Sequence, residues 1–312
     1  PDEGASVQME GVMFRKHIDR ASVARLIFTN RERTTIHVTI NDTIHKVYNP
    51  EPGPEVQQID IHTPIRSLEV RIANPAGFIG YGIVFENKNG VSLDNYSIRG
   101  NSGLALFGTN AAVNARIGAM RGYDLIILQY GLNVMSADVL HYGSYEKAFI
   151  KVINYMKRCF PNSSILVMGV CDRSTQRDGE FVTMPAVRGM IEAQRNAARE
   201  TGVAFWNTFE AMGGENSMVE FVRKNWAAKD YTHLGYAGGK FIAGKLVGNW
   251  MQGVEAEQQR RDRIEEERRK NEMLHYNRND TIPGTIETET EAETDSDADA
   301  DTTFTTNEFA QP

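Results

Sequence analysis

The sequence predicts a β-rich segment followed by an α/β domain with a parallel sheet, and then a charged tail. Three observations carry this reading. Residues 7 to about 85 hold short runs of β-branched residues divided by Asn- and Pro-rich turns, with no apolar repeat of helix length. From Gly90 to Gly253, apolar runs of strand length alternate with stretches of helical period. Beyond Gly253 the apolar periodicity stops and charge takes over.

In the first part, Ala24–Thr29, Thr35–Ile40, Gln58–His62 and Ser67–Ile72 alternate or cluster residues that favour pleated backbone. Asn41-Asp42 and Asn49-Pro-Glu-Pro-Gly-Pro54 break the chain between them. Short strands with polar turns bury one face each and need a second sheet to cover it, so a small β-sandwich is expected.

In the second part, Val91–Asp94 reads as a short strand leading into the turn Gly100-Asn-Ser-Gly103, and 104–120 as a helix. Tyr123–Tyr130 (YDLIILQY) is a continuous apolar strand of the kind buried on both faces. Tyr145–Arg158 carries Phe149, Val152, Ile153 and Met156 at helical period. A strand at 164–170, a helix at 185–200, a strand at 203–206, a helix near 216–224 and a closing helix at 234–252 complete the alternation. Such alternation implies a parallel sheet with helices on both faces, a three-layer α/β/α domain. The domain limits expected are 1–85, 86–253 and 254–312.

The last segment opens with a mixed-charge run, Glu255–Met273, suited to a solvated helix with pairs four residues apart. The acidic Thr/Glu/Asp/Ala tract Thr285–Thr303 has no aromatic residue and too little apolar surface to order itself. From Glu255 onward there are 17 acidic and 7 basic residues, whereas the rest of the chain has 24 acidic and 27 basic. The net charge of −7 therefore belongs to the tail, and the near-neutral body offers no polybasic face for nucleic acid. No run approaches the roughly 20 apolar residues of a membrane helix, nor does any segment read as a signal peptide. With Pro1 first, a processed or trimmed product is expected. Cys159 and Cys171 flank the strand at 164–170 and are expected as free, buried thiols. No His/Cys set has metal-ligand spacing, so neither metal nor cofactor is expected.

Chemistry concentrates where predicted strands end, the edge at which open α/β sheets bind ligands. Asp230-Tyr-Thr-His233 stands just before the closing helix. An Asp three residues before a His can accept the imidazole Nδ1–H, fix the tautomer and leave Nε2 as a general base. Ser97 follows the strand at 91–94 and supplies a hydroxyl. Asn133, in Gly131-Leu-Asn133, supplies a side-chain amide that, with backbone N–H groups at Ser97 and a following glycine, could form an oxyanion hole. Taken singly, each has a blander reading: Ser97 as a turn residue, Asn133 in a left-handed turn, Asp230 as a helix cap. Their joint order at three strand ends favours catalysis. His17, His37, His45 and His62 lie in the β part, His141 could at most line the site, and Arg99 and Arg173 could contact an anionic substrate.

The order Asp-x-x-Ser-x-x-Gly, then YDLIILQYGLN, then Asp-x-x-His before the last helix resembles the SGNH (GDSL-type) hydrolases, over roughly residues 84–252. The literal Gly-Asp-Ser-Leu string is absent, and Asp94-Asn-Tyr-Ser97 stands in its place. The resemblance implies a flavodoxin-like α/β/α core and a serine esterase. Ser97 would be nucleophile, with Ser102 as competitor, and Asp230 and His233 would complete the triad. Ser97, Gly103 (or Gly100) and Asn133 would form the oxyanion hole. With a jelly-roll-like β-sandwich beside the core, the chain looks most like the bacterial carbohydrate and peptidoglycan O-acetylesterase branch. That branch implies an acetylated cell-wall carbohydrate as substrate and a periplasmic or otherwise extracytoplasmic place of action. The alternatives are a glycan-binding module with an inactive core, a lipid or thioester acylhydrolase, and a scaffold whose acidic tail recruits a partner.

Overall fold

The computed structural model describes residues 4–12 and 19–279, the last four as backbone only. His17 and the acidic tract Thr285–Thr303 lie outside the described residues. The chain divides into two compact units, Pro1–Asn249 and Trp250–Pro312.

The first unit opens with seven strands: β1 Ala5–Glu10, β2 Ala21–Asn30, β3 Thr35–Ile40, β4 Ile44–Tyr48, β5 Gln57–Ile65, β6 Ser67–Ala73 and β7 Phe78–Glu86. They form two antiparallel sheets, ordered β1-β6-β3-β4 and β5-β2-β7. Register explains the packing between them. Ile36, Val38 and Ile40 of β3 stand opposite Ile72, Val70 and Leu68 of β6, so the centre of that sheet presents an apolar face. Ala24, Leu26 and Phe28 of β2, with Ile61 and Ile65 of β5, join these residues in a single buried cluster. The strands read from sequence correspond to β2, β3, β5 and β6. The other three lacked clear alternation, and β1 and β4 are mostly exposed.

Downstream lie a 3-10 turn, Leu104–Gly108, and helix α1, Ala111–Arg121. The single helix expected over 104–120 is broken because Asn110 caps α1, its side chain accepting the Ala112 and Val113 N–H groups. Then come β8 Leu125–Leu128, α2 Gly143–Cys159, β9 Ser164–Met168, β10 Ser174–Arg177, β11 Glu180–Thr183, α3 Ala186–Thr201, β12 Ala204–Trp206, α4 Thr208–Met212, α5 Ser217–Arg223 and α6 Tyr236–Asn279.

The strands β12, β9 and β8 form a parallel sheet in that order. Alternation along the central strand divides the core. Ile165 and Val167 face one way, into a cluster with α2 and α3 that includes Phe149, Ile153, Met190 and Ala197. Leu166 and Met168 face the other, against Met218 and Phe221 of α5 and Ile242 and Leu246 of α6. Helices therefore cover both faces. β10 and β11 form a separate hairpin that the sequence reading missed.

The strand expected at 91–94 does not form. Val91 and Leu93 supplied its alternation, yet they are 100% and 86% exposed. Asp94 is instead drawn to the end of α1, where it accepts from Arg121 Nε at 2.9 Å and from the Tyr123 hydroxyl at 2.5 Å. Arg121, nearly buried, also donates to Glu86 at the end of β7, at 2.8 Å. Burial alone would raise the Glu86 carboxyl, but Arg121 and Arg25 outweigh it and hold it below the usual range.

The described residues of the second unit, 250–279, belong to α6, one helix where two were expected. Its surface carries the predicted pairs, including Glu257 with Arg261 and Glu266 with Lys270.

Candidate active site

The Asp230–His233 turn is fixed by its backbone before any side chain is considered. Ala227 and Leu234 pair as an isolated antiparallel bridge. The Ala228 N–H donates to His233 O at 2.8 Å and the Tyr231 N–H to Ala228 O at 3.1 Å. Tyr231 takes a left-handed conformation, φ 55°. Within this turn Asp230 does three jobs. Its Oδ1 accepts the Thr232 and His233 N–H groups, at 2.9 and 3.0 Å, and its Oδ2 meets His233 Nδ1 at 2.7 Å. The bond from the His233 ring, helped by the two amides, holds the Asp230 carboxyl below its ordinary range. Nε2 is left for a substrate or nucleophile, on a side chain that is 73% exposed.

Gly131, three residues past β8, has φ 103°, and a Cβ there would lie 2.8 Å from Gln194 Nε2 and 3.0 Å from Val170 Cγ1. Only glycine fits. Gln194 is fully buried on the apolar face of α3; it donates to Tyr130 O at 2.8 Å and accepts the Val170 N–H at 2.9 Å. It thereby locks the loops leaving β8 and β9 to each other. The sequence reading passed it over, although a lone polar residue among Met190, Ile191, Ala193 and Ala197 was the available signal.

Asn133 donates to Asn101 O at 3.2 Å, which sets its amide against the Gly100–Gly103 turn. Arg173, in the loop after β9, reaches Leu132 O and Met135 O at 3.4 and 3.5 Å. Its neighbour Ser174 donates its N–H to Tyr231 O at 3.0 Å. One chain of bonds thus runs from the glycine turn through the Asn133 loop and the β9 loop to the Asp230–His233 turn. These bonds bring the Gly100–Gly103 turn, the Asn133 loop and the Asp230–His233 turn together, and among the described residues none of them reaches Ser97.

The remaining candidates stand as follows. Ser97 is exposed, and its N–H is engaged by Asn95 Oδ1 at 2.9 Å. Ser102 Oγ accepts the Leu104 N–H at 3.3 Å, a local serine turn just before the 3-10 turn. Gly103 is buried with φ 88°, its Cβ position filled by the Tyr130 ring at 2.6 Å, and its N–H donates to Asn101 Oδ1 at 2.7 Å. Gly100, with φ 76°, has no hydrogen-bond partner for its N–H among the described residues. Among the described residues no hydrogen bond joins Ser97 or Ser102 to His233. His141 lines an open depression beside the Asn133 loop with Val134, Tyr142, Ser144 and Lys147.

Both cysteines are free, Cys159 buried and Cys171 partly so. Burial, then the charge of Asp172, pushes the Cys171 thiol up to about 12, which makes it a poor nucleophile at neutral pH. Among the described residues no three His, Cys, Asp or Glu side chains converge on a metal site, and no helix is long and apolar enough to cross a membrane.

No protein-family model matches the sequence, and no curated protein does either. Among solved structures, the chain is similar to a peptidoglycan O-acetylesterase at 20% identity and a TM-score of 0.57, over 81% of this chain and 69% of that one. It also aligns with an acetyl xylan esterase at 16% identity, over 49% of this chain and 77% of the other, with a TM-score of 0.36. A family two carbohydrate esterase from Clostridium thermocellum aligns at 9% identity over 81% and 93%, with a TM-score of 0.29. These last two are too remote to weigh. The first, over most of both chains, shows that this chain shares the fold of that protein.

Proposed function

We propose that the protein is a serine esterase that removes short acyl groups, acetyl foremost, from a carbohydrate such as peptidoglycan or a polysaccharide. The observation that carries this reading is the Asp230–His233 pair at 2.7 Å, bonded through the β9 and Asn133 loops to the glycine turn. In the proposed reaction Ser97 Oγ attacks the ester carbonyl while His233 Nε2 takes its proton, and Asp230 stabilises the imidazolium. The tetrahedral oxyanion is held by the Asn133 amide, whose second N–H is free of Asn101, and by a backbone N–H of the 97–103 segment. Gly100 offers that N–H without first breaking a bond, whereas Gly103 and Ser97 must release an asparagine side chain. His233 then protonates the departing sugar oxygen as the intermediate collapses to acetyl-Ser97, and water, deprotonated by the same nitrogen, attacks that ester to release acetate and restore the Ser97 hydroxyl.

The Ser97 hydroxyl must come within about 3 Å of Nε2 for this chemistry, a bond that in hydrolases often tightens only with substrate. On this reading the N-terminal sheets are a jelly-roll-like β-sandwich accessory domain, residues 1–85, beside a hydrolase domain at 86–253. The place of action is extracytoplasmic. The fold it shares with a peptidoglycan O-acetylesterase supports this substrate class.

A second reading, a glycan-binding module with an inactive core, is favoured by one observation: the serine and histidine are not hydrogen-bonded to each other. Turnover separates the two. Rates should be measured across p-nitrophenyl esters from acetate to decanoate, together with an acetylated sugar. A dedicated acyl groove contributes about 0.8 kcal/mol per buried methylene, so a lipase gains severalfold in kcat/KM with each carbon. This protein should peak at two or three carbons and then fall. A maximum at octanoate would move the function to lipid or thioester hydrolysis, and no turnover of any ester would leave the binding module.

A further inference from the structure

The β10–β11 hairpin lies outside the parallel sheet, yet it is anchored with unusual care. Its two-residue turn, Asp178-Gly179, has both residues at positive φ, 52° and 87°, as a tight hairpin turn requires. Its base is held from two sides. Thr183 N–H donates to Asn216 Oδ1 at 2.9 Å while Asn216 N–H donates back to Thr183 Oγ1 at 2.7 Å. Met184 N–H donates to Arg173 O at 2.7 Å. So fixed, the hairpin lays Phe181 flat on Tyr231, with ring centroids 3.7 Å apart and planes 10° from parallel.

Tyr231 sits between Asp230 and His233, and its left-handed backbone is one that a bulky side chain adopts only under constraint. Two contacts from the same hairpin impose it: the ring stack from Phe181 and the Ser174 N–H on Tyr231 O at 3.0 Å. The pairing of Asp230 with His233 depends on that turn, because Asp230 Oδ1 must reach the amides of residues 232 and 233 while Oδ2 reaches the ring. The dyad is otherwise largely exposed and has little packing of its own.

We propose that Phe181 is a positioning residue for the Asp230–His233 pair, acting through the ring of Tyr231. Its ring stacks on Tyr231, which lies between the two members of the pair. Its loss frees the turn to relax, and the imidazole then samples both tautomers and several orientations. The kinetic consequence rests on the esterase reading above; the structural one does not.

The test is made on the full chain, wild type and three variants. In Phe181→Ala, kcat on a short acetyl ester should fall about tenfold to a hundredfold, the cost of a small misplacement of a catalytic group, with KM nearly unchanged. Phe181→Tyr, which keeps the flat ring, should restore it. Tyr231→Gly, which suits the left-handed turn but deletes the stack, should behave like Phe181→Ala. Independently, the ring 15N chemical shifts of His233, assigned against His233→Gln, should report a single Nδ1–H tautomer in the wild type. They should report a mixture in Phe181→Ala. An unchanged tautomer and kcat in Phe181→Ala would overturn the proposal. A rise confined to KM would overturn it too, and would make Phe181 a substrate contact. If the wild type hydrolyses no ester, the functional reading fails while the tautomer measurement still decides the clamp.

Discussion

Asp230 spends both oxygens within one turn, and this double use separates an orienting carboxylate from a simple helix cap. A cap needs only Oδ1 on the amides of residues 232 and 233; Oδ2 on the imidazole at 2.7 Å has no capping purpose. Asp230→Asn keeps the shape and loses the charge and the tautomer control, so kcat should fall by about 10⁴ with little change in KM. An unaltered rate would reduce the pair to a cap. Asn133→Ala should cost about 10² to 10³ in kcat if the amide serves the oxyanion, and a loss confined to KM would assign it to substrate positioning. The acid side of the rate profile is not set by Asp230. Its carboxyl is held below the usual carboxylate range by the bond from the His233 ring. At this scale the sequence was informative because Asp-x-x-His and Gly-x-Asn are local patterns, in which the partner lies within three residues or the backbone itself demands glycine. It was silent on Gln194 and Phe181, whose partners lie 24 to 64 residues away and depend on how the loops meet.

The elements show where local pattern misleads. Val91–Asp94 alternates like a strand, but alternation predicts a strand only if a neighbouring strand accepts it, and here Arg121 and Tyr123 take Asp94 instead. Arg121→Ala would leave Glu86 and Asp94 without their shared cation, and removing the charged partner of such a half-buried cluster should cost about 1–3 kcal/mol. Chemical denaturation checks this, and a loss below about 1 kcal/mol would make the cluster a surface ornament. Gln194→Leu keeps the bulk on α3 but orphans the buried Val170 N–H and Tyr130 carbonyl, at about 1–3 kcal/mol. Asp172 supplies a pH test. It is fully buried, and burial raises its carboxyl above the ordinary range, although the Met218 N–H donates to it at 2.8 Å. A raised folded-state pKa means that the fold binds the proton more tightly than the unfolded chain does. The stabilising effect is complete at acid pH and fades as pH rises through the raised value. Asp172→Asn, which still accepts from Met218, should flatten that decline: its melting temperature should gain on the wild type from about pH 4 upward. A constant gap between the two across pH would contradict the assignment.

At the scale of the molecule, the alternation of strand and helix carried the fold, since a parallel sheet needs a crossover between each pair of strands and leaves that rhythm in the sequence. The helices α2 and α3 on one face, and α5 and α6 on the other, follow from the side-chain alternation along β9. The β10–β11 hairpin was illegible because four-residue strands with polar tips lack any period long enough to read. The central claim is that Ser97, His233 and Asp230 act as one machine, and covalent labelling tests it most directly. The full chain is treated with an active-site organophosphonate, digested, and the modified peptide sequenced by mass spectrometry. The account predicts one stoichiometric adduct on Ser97, absent in Ser97→Ala and strongly slowed in His233→Gln, with ester turnover in Ser97→Ala down about 10⁴- to 10⁶-fold. An adduct on Ser102 or on any other serine, or no adduct from a protein that still turns over acetate esters, would contradict it.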